Sequence, residues 1–191
     1  MPSFKRWCAL TCLLTTLLLA PSAALAWQGV VARVSDGDTV VVARGRKAVK
    51  LRLQGIDAPE LSQPYGQQAG QYMRYLVLGK TVEVDAKETD AYKRTVAVVF
   101  RLPDRLNVNE TMIWQGYAWH YVRYAHSPRL AWLEDGAARA HRGLWADPRP
   151  VPPWQWRRRH PRGGQHGSRY GSHYGSHYGS PGHRASYRWL W

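Results

Sequence analysis

Three carboxylates and two arginines have residue types and spacing suited to handling a cation and a phosphate. Asp38 sits in Asp36-Gly37-Asp38-Thr39, and Asp57 and Glu60 fall in Gly55-Ile56-Asp57-Ala58-Pro59-Glu60. Carboxylate oxygens at about 2.3–2.6 Å suit a hard cation such as calcium, and no nearby His or Cys argues for a softer metal. Two of these acids can hold the ion while the third stays free. Attack of water on a phosphodiester builds negative charge on the phosphoryl oxygens, which the guanidinium forks of Arg52 and Arg94 can stabilise with paired hydrogen bonds. Each residue also has a plainer reading when taken singly. Asp38 can simply make a turn, Asp57 and Glu60 can be loop carboxylates around Pro59, and each arginine can be a solvated surface charge.

These side chains need a scaffold. Val30-Val31-Ala32-Arg33-Val34 and Val40-Val41-Val42 are β-branched runs separated by an Asp-Gly turn signal. Val49-Lys50-Leu51-Arg52-Leu53 alternates with period two, which predicts a strand with Arg52 on the face opposite its leucines. From Tyr65 to Leu78, apolar residues recur at helical spacing and Gly79 supplies a stop signal. Strands are predicted for Thr81 to Asp85 and Val96 to Phe100, and helices for Val108 to Gln115 and Pro128 to Arg142. Five strands with about three helices are compatible with a small α+β domain built on a closed oligonucleotide-binding (OB) barrel, although composition alone does not single that fold out.

Taken together, Asp36-Gly37-Asp38-Thr39, Arg52 through Glu60, Tyr92-Lys93-Arg94 and Val108-Asn109-Glu110, in this order, resemble the thermonuclease family typified by staphylococcal nuclease. The resemblance runs from residue 30 to about residue 146. It implies an OB-fold barrel carrying a calcium-dependent phosphodiesterase that cleaves DNA and RNA and leaves 3′-phosphates. By the same resemblance, Asp38, Asp57 and the main-chain carbonyl of Ala58 hold the metal, and Arg52 and Arg94 grip the phosphate. Glu60 matches the group that activates water, either by taking its proton or by orienting it. Tyr92 matches a substrate-contacting tyrosine and Tyr121 or Tyr124 matches another, while Lys93 is a further substrate-binding candidate that either restores the charge absent at Ala91 or disturbs the loop. Four departures stand out: Ala58 replaces a threonine, Ala91 a lysine and Lys93 a glycine, and the segment around Tyr121 is one residue shorter.

The remaining sequence speaks to location and partners. Lys5 and Arg6, an apolar run and Ala24-Leu25-Ala26 describe a signal peptide cleaved near Ala26, which implies export to the periplasm or the medium and no membrane span in the mature chain. Cys8 and Cys12 both lie in that signal, so the mature domain is expected to be a monomer held by its apolar core without disulfides. Net charge is +14, and residues 149–191 carry 8 arginines and no acid. The catalytic domain is expected over 27–147, followed by a basic tail over 148–191 that ends in Gly-Ser-Xaa-Tyr repeats with the composition of disorder. Such a tail attracts polyanions, whether DNA and RNA or an anionic envelope polymer. Its histidines, His166, His173, His177 and His183, are a further metal-binding candidate. A noncatalytic nucleic-acid-binding module and an envelope-associated structural protein are the rival readings.

Overall fold

Valine runs and period-two alternation produce the strands, and a computed structural model describes them within residues 26–161. The expected signal peptide and the Gly-Ser-Xaa-Tyr repeats lie outside the described residues. The strands are β1 (Trp27–Val34), β2 (Thr39–Arg44), β3 (Lys47–Leu53), β4 (Ile56–Asp57), β5 (Thr81–Thr89), β6 (Thr95–Arg101), β7 (Leu106–Asn107) and β8 (Trp119–His120). The helices are α1 (Gly66–Val77), α2 (Val108–Trp114), α3 (Pro128–Arg139) and α4 (Pro153–Arg159).

β3, β2, β1, β5 and β6 pair in that order, and a parallel β3–β6 pairing closes them into a five-stranded barrel. This is the expected OB-like α+β architecture. Val31, Val42, Leu51, Leu53, Val82, Val84, Ala97 and Val99 are buried by the strand alternation. Met73, Leu76 and Val77 of α1 and Val108, Met112 and Ile113 of α2 complete the same core. Burying a side chain of this size contributes roughly 1.5–3 kcal/mol, so a domain without a disulfide can rest on these contacts.

Several boundaries differ from the sequence reading. β5 runs on to Thr89 because the polar residues after Asp85 still pair with β6 across a bulge between Ala86 and Glu88. α3 stops at Arg139, and a separate 3-10 turn covers Gly143–Ala146. The largest difference follows Asp147. The expected start of the tail at 148 does not end the packed chain, and the compact unit continues through His160 with α4 inside it. Pro153 is suited to the first helical turn and is buried, and Trp154 packs on Trp119 and Tyr121. Among the described residues, no helix is long and apolar enough to cross a membrane.

Candidate active site

Strand register brings the first acid and the first arginine together. Arg52 faces away from Leu51 and Leu53, and its Cα partners are Thr39 on β2 and Val96 on β6. Asp38 immediately precedes Thr39 in a turn whose backbone Asp36 braces, by accepting from the Asp38 N–H at 3.0 Å. Gly37 is required in that turn, since a Cβ there would lie 2.6 Å from Ala58 Cβ and 2.9 Å from Ala69 Cβ. β4 pairs with β8, opposing Asp57 to Trp119 and burying it completely.

The Arg52 guanidinium spans both acids. Its Nη1 forms an ion pair with Asp38 Oδ1, and its Nη2 donates to Asp57 Oδ1 at 2.8 Å and to the Ile56 carbonyl at 3.2 Å. Asp38 also accepts from the Ala58 N–H at 2.8 Å and from the Thr39 hydroxyl at 3.0 Å. Burial pushes Arg52 below the usual arginine range, opposed by Asp57 and reinforced by the nearby charge of Arg94. Both acids and the adjoining Ala58 carbonyl offer hard oxygen donors, so the donor chemistry fits a calcium ion. Among the described residues, no three acidic, histidine or cysteine side chains converge into a ready-made cation cage. Guanidinium groups stand between the carboxylates instead.

One of those guanidiniums was not anticipated. Arg157 of α4 donates through Nη2 to Asp57 Oδ2 at 2.8 Å, and through Nη1 to Glu60 Oε1 at 2.9 Å and Asp57 Oδ1 at 3.2 Å. Burial alone would lower the Arg157 pKa, but these bonds and the charges of Asp57 and Glu60 raise it above the usual range. The loop bearing Glu60 is fixed by Gln63, whose side chain accepts from the Glu60 N–H at 3.2 Å and donates to the Val151 carbonyl at 2.6 Å. Gly66 lets α1 begin directly against that loop, because a Cβ there would collide with the Glu60 carbonyl. The sequence signal for Arg157 is an arginine run behind Trp154 and Trp156, within the segment whose composition reads as tail.

Arg94 is held differently. Its Nε and Nη2 both lie 2.7 Å from Asp90 Oδ2, while Asp90 Oδ1 accepts from the Tyr92 and Arg94 amides at 2.9 Å. Burial pushes the Asp90 carboxyl up, but the bonds from Arg94 and Tyr92 outweigh it and hold the group below the usual carboxylate range. Arg94 lies over the Tyr92 ring, which is 81% exposed and open to a ligand. Lys93 occupies left-handed backbone at φ 59°, the conformation that favours the glycine it replaces. Tyr121 is half-buried and stacks against Trp154, and the exposed Tyr124 sits edge-on to it. A further brace outside the expected set is buried Asn109, which accepts from the Val99 amide and donates to the Gln54 and Ala97 carbonyls. It ties the segment leading to Asp57 onto β6.

The fold and site together are those of an OB-like barrel whose buried acids are bridged by arginines. The chain belongs to the staphylococcal nuclease homologue family, whose model matches residues 50–147. It is 48% identical over 131 residues to an uncharacterized endonuclease of Escherichia coli, covering 69% of this chain and 85% of that one. It is 40% identical over 154 residues to the Protein ParB of Escherichia coli, covering 76% and 87% of the two chains. It is also 39% identical over 142 residues to a micrococcal nuclease of Shigella flexneri, covering 69% and 81%.

Proposed function

We propose that this chain is an exported, calcium-dependent nuclease that hydrolyses phosphodiester bonds in DNA and RNA and leaves 3′-phosphates. The observation that carries the proposal is Arg52 held between buried Asp38 and Asp57, with Glu60 joined to Asp57 through a neighbouring guanidinium. Family membership and the endonuclease and micrococcal nuclease names of its relatives support the nuclease reading. Asp38, Asp57 and the Ala58 carbonyl would hold calcium, which when bound supplies positive charge to the phosphate and to the attacking water.

The chain's own residues do the rest. Arg52 and Arg94 present paired N–H donors to the phosphoryl oxygens, where negative charge accumulates in the transition state. Glu60 takes the proton of the attacking water or fixes its orientation. The water oxygen bonds phosphorus as the bond to the 5′ oxygen breaks; the water's proton passes to Glu60 or to solvent, and the 5′ oxygen departs with a proton taken from solvent. Tyr92, Lys93, Tyr121 and Tyr124 line the route of the strand, and the basic tail adds attraction for nucleic acid or an anionic envelope polymer. The working unit is a monomer, exported after cleavage near Ala26.

Digestion of single- and double-stranded DNA and RNA, with calcium and with chelator, tests this reading. Cleavage in calcium alone, with products whose 3′ ends become extendable only after phosphatase treatment, is expected. Binding without cleavage in every condition would make the chain a nucleic-acid-binding module instead.

A further inference from the structure

α4 touches the site at three separate places. The Val151 carbonyl, just before the helix, accepts from Gln63, which also holds the Glu60 amide. Trp154 lies parallel to Tyr121, with ring centroids 5.5 Å apart and planes 4° from parallel. Arg157 reaches both oxygens of Asp57 and one oxygen of Glu60.

Each contact uses something the proposed reaction needs. Asp57 is the most deeply buried of the acids, and three N–H groups already point at its two oxygens. A divalent cation on Asp57 must take one of those lone pairs and then sits beside a guanidinium of like charge. At contact distances such repulsion is large in a partly desolvated site, so cation and guanidinium cannot share Asp57 comfortably. Trp154 covers a face of Tyr121 on which a nucleobase would stack. The helix therefore presents a cation where the metal belongs and a ring where a base belongs.

The two arginines on Asp57 differ in which can yield. Arg52 comes from barrel strand β3, paired on both sides by β2 and β6, and it pairs with two acids and also bonds the Ile56 carbonyl. Arg157 stands on a seven-residue helix at the margin, and its side chain is 36% exposed. Short peripheral helices with few buried residues belong to the low-stability end of a fold.

We infer that α4 is an intramolecular latch: Arg157 and a divalent cation compete for Asp57, so the helix closes the site and holds Glu60 without cation, and is displaced when cation binds. This rests on the calcium reading above and adds regulation to the same site. Loading then couples two events, since the cation that prepares Asp57 also frees Tyr121 for substrate.

Calorimetric titration of calcium into the full mature chain and its Arg157→Gln variant tests the latch. Arg157→Gln is expected to bind calcium at least about tenfold more tightly, from loss of a competing like charge. Arg159→Gln removes the same charge from the exposed side of the helix and should leave affinity within about twofold, since exposed charges are screened by solvent and salt. Trp154→Ala, which leaves every charge in place, should strengthen binding in the same direction. In the parent, calcium should accelerate tryptic cleavage at Arg157 to Arg159. Unchanged or weaker calcium binding by Arg157→Gln would overturn the latch. Absence of calcium binding in both parent and variant would overturn the calcium reading and the latch together.

Discussion

Arg52 and Arg94 are the same residue type with the same proposed task, yet they are held in opposite ways. Arg52 is fixed by acids from two different parts of the chain, the β1–β2 turn and β4, and by a main-chain carbonyl. Arg94 is tied to Asp90, four residues back in its own loop, and to the exposed ring of Tyr92. One guanidinium is part of the barrel wall before any substrate arrives. The other is organised locally and, in the proposed role, would exchange Asp90 for phosphate. Preorganisation of charge in a partly dry site is worth far more than charge recruited from a solvated loop, so the two should not contribute equally.

The same substitution at both positions probes that contrast. Arg52→Lys keeps the charge but cannot span Asp38 and Asp57 with a planar fork, and should lower kcat by about 10²–10³-fold, the scale of a lost transition-state donor. Arg94→Lys should cost less, about tenfold, because a flexible ammonium on a loop still reaches phosphate as a point charge. Steady-state kinetics on one single-stranded DNA substrate in calcium compares them directly. Equal losses would erase the distinction between the wall and the loop.

Much of the wall was legible because its signals are local. Alternation in Leu51-Arg52-Leu53 assigns the arginine its face, the Asp-Gly pair marks the turn that carries Asp38, and Gly79 stands in left-handed backbone just after α1. The motif resemblance picks out Asp57 and Glu60, and the fold sets Asp57 against Arg52 beside Asp38, with Arg157 linking Glu60 to Asp57. What was not legible depends on long-range pairing. Closure of β3 on β6 puts Val96 beside Arg52 and so brings the Arg94 loop near, and no periodicity in either strand announces a parallel partner.

α4 is hidden in the sequence for a different reason. Pro148, Pro150, Pro152 and Pro153 among arginines have the composition of a linker, and the tryptophans that dock the helix reveal their purpose only against Trp119 and Tyr121. Arg157 is 100 residues from Asp57 along the chain, beyond the reach of any local pattern. Lys93 shows the converse: its left-handed backbone is visible as a glycine position only through the resemblance.

Hydrolysis at the acidic centre requires Glu60 to serve the attacking water. The direct measurement is single-turnover cleavage of a DNA strand by Glu60→Gln at saturating calcium, with cation binding verified by calorimetry. Loss of about 10²–10⁴-fold relative to the parent is predicted, the range for removing a positioned acid–base group. Near-normal cleavage with calcium bound would contradict it.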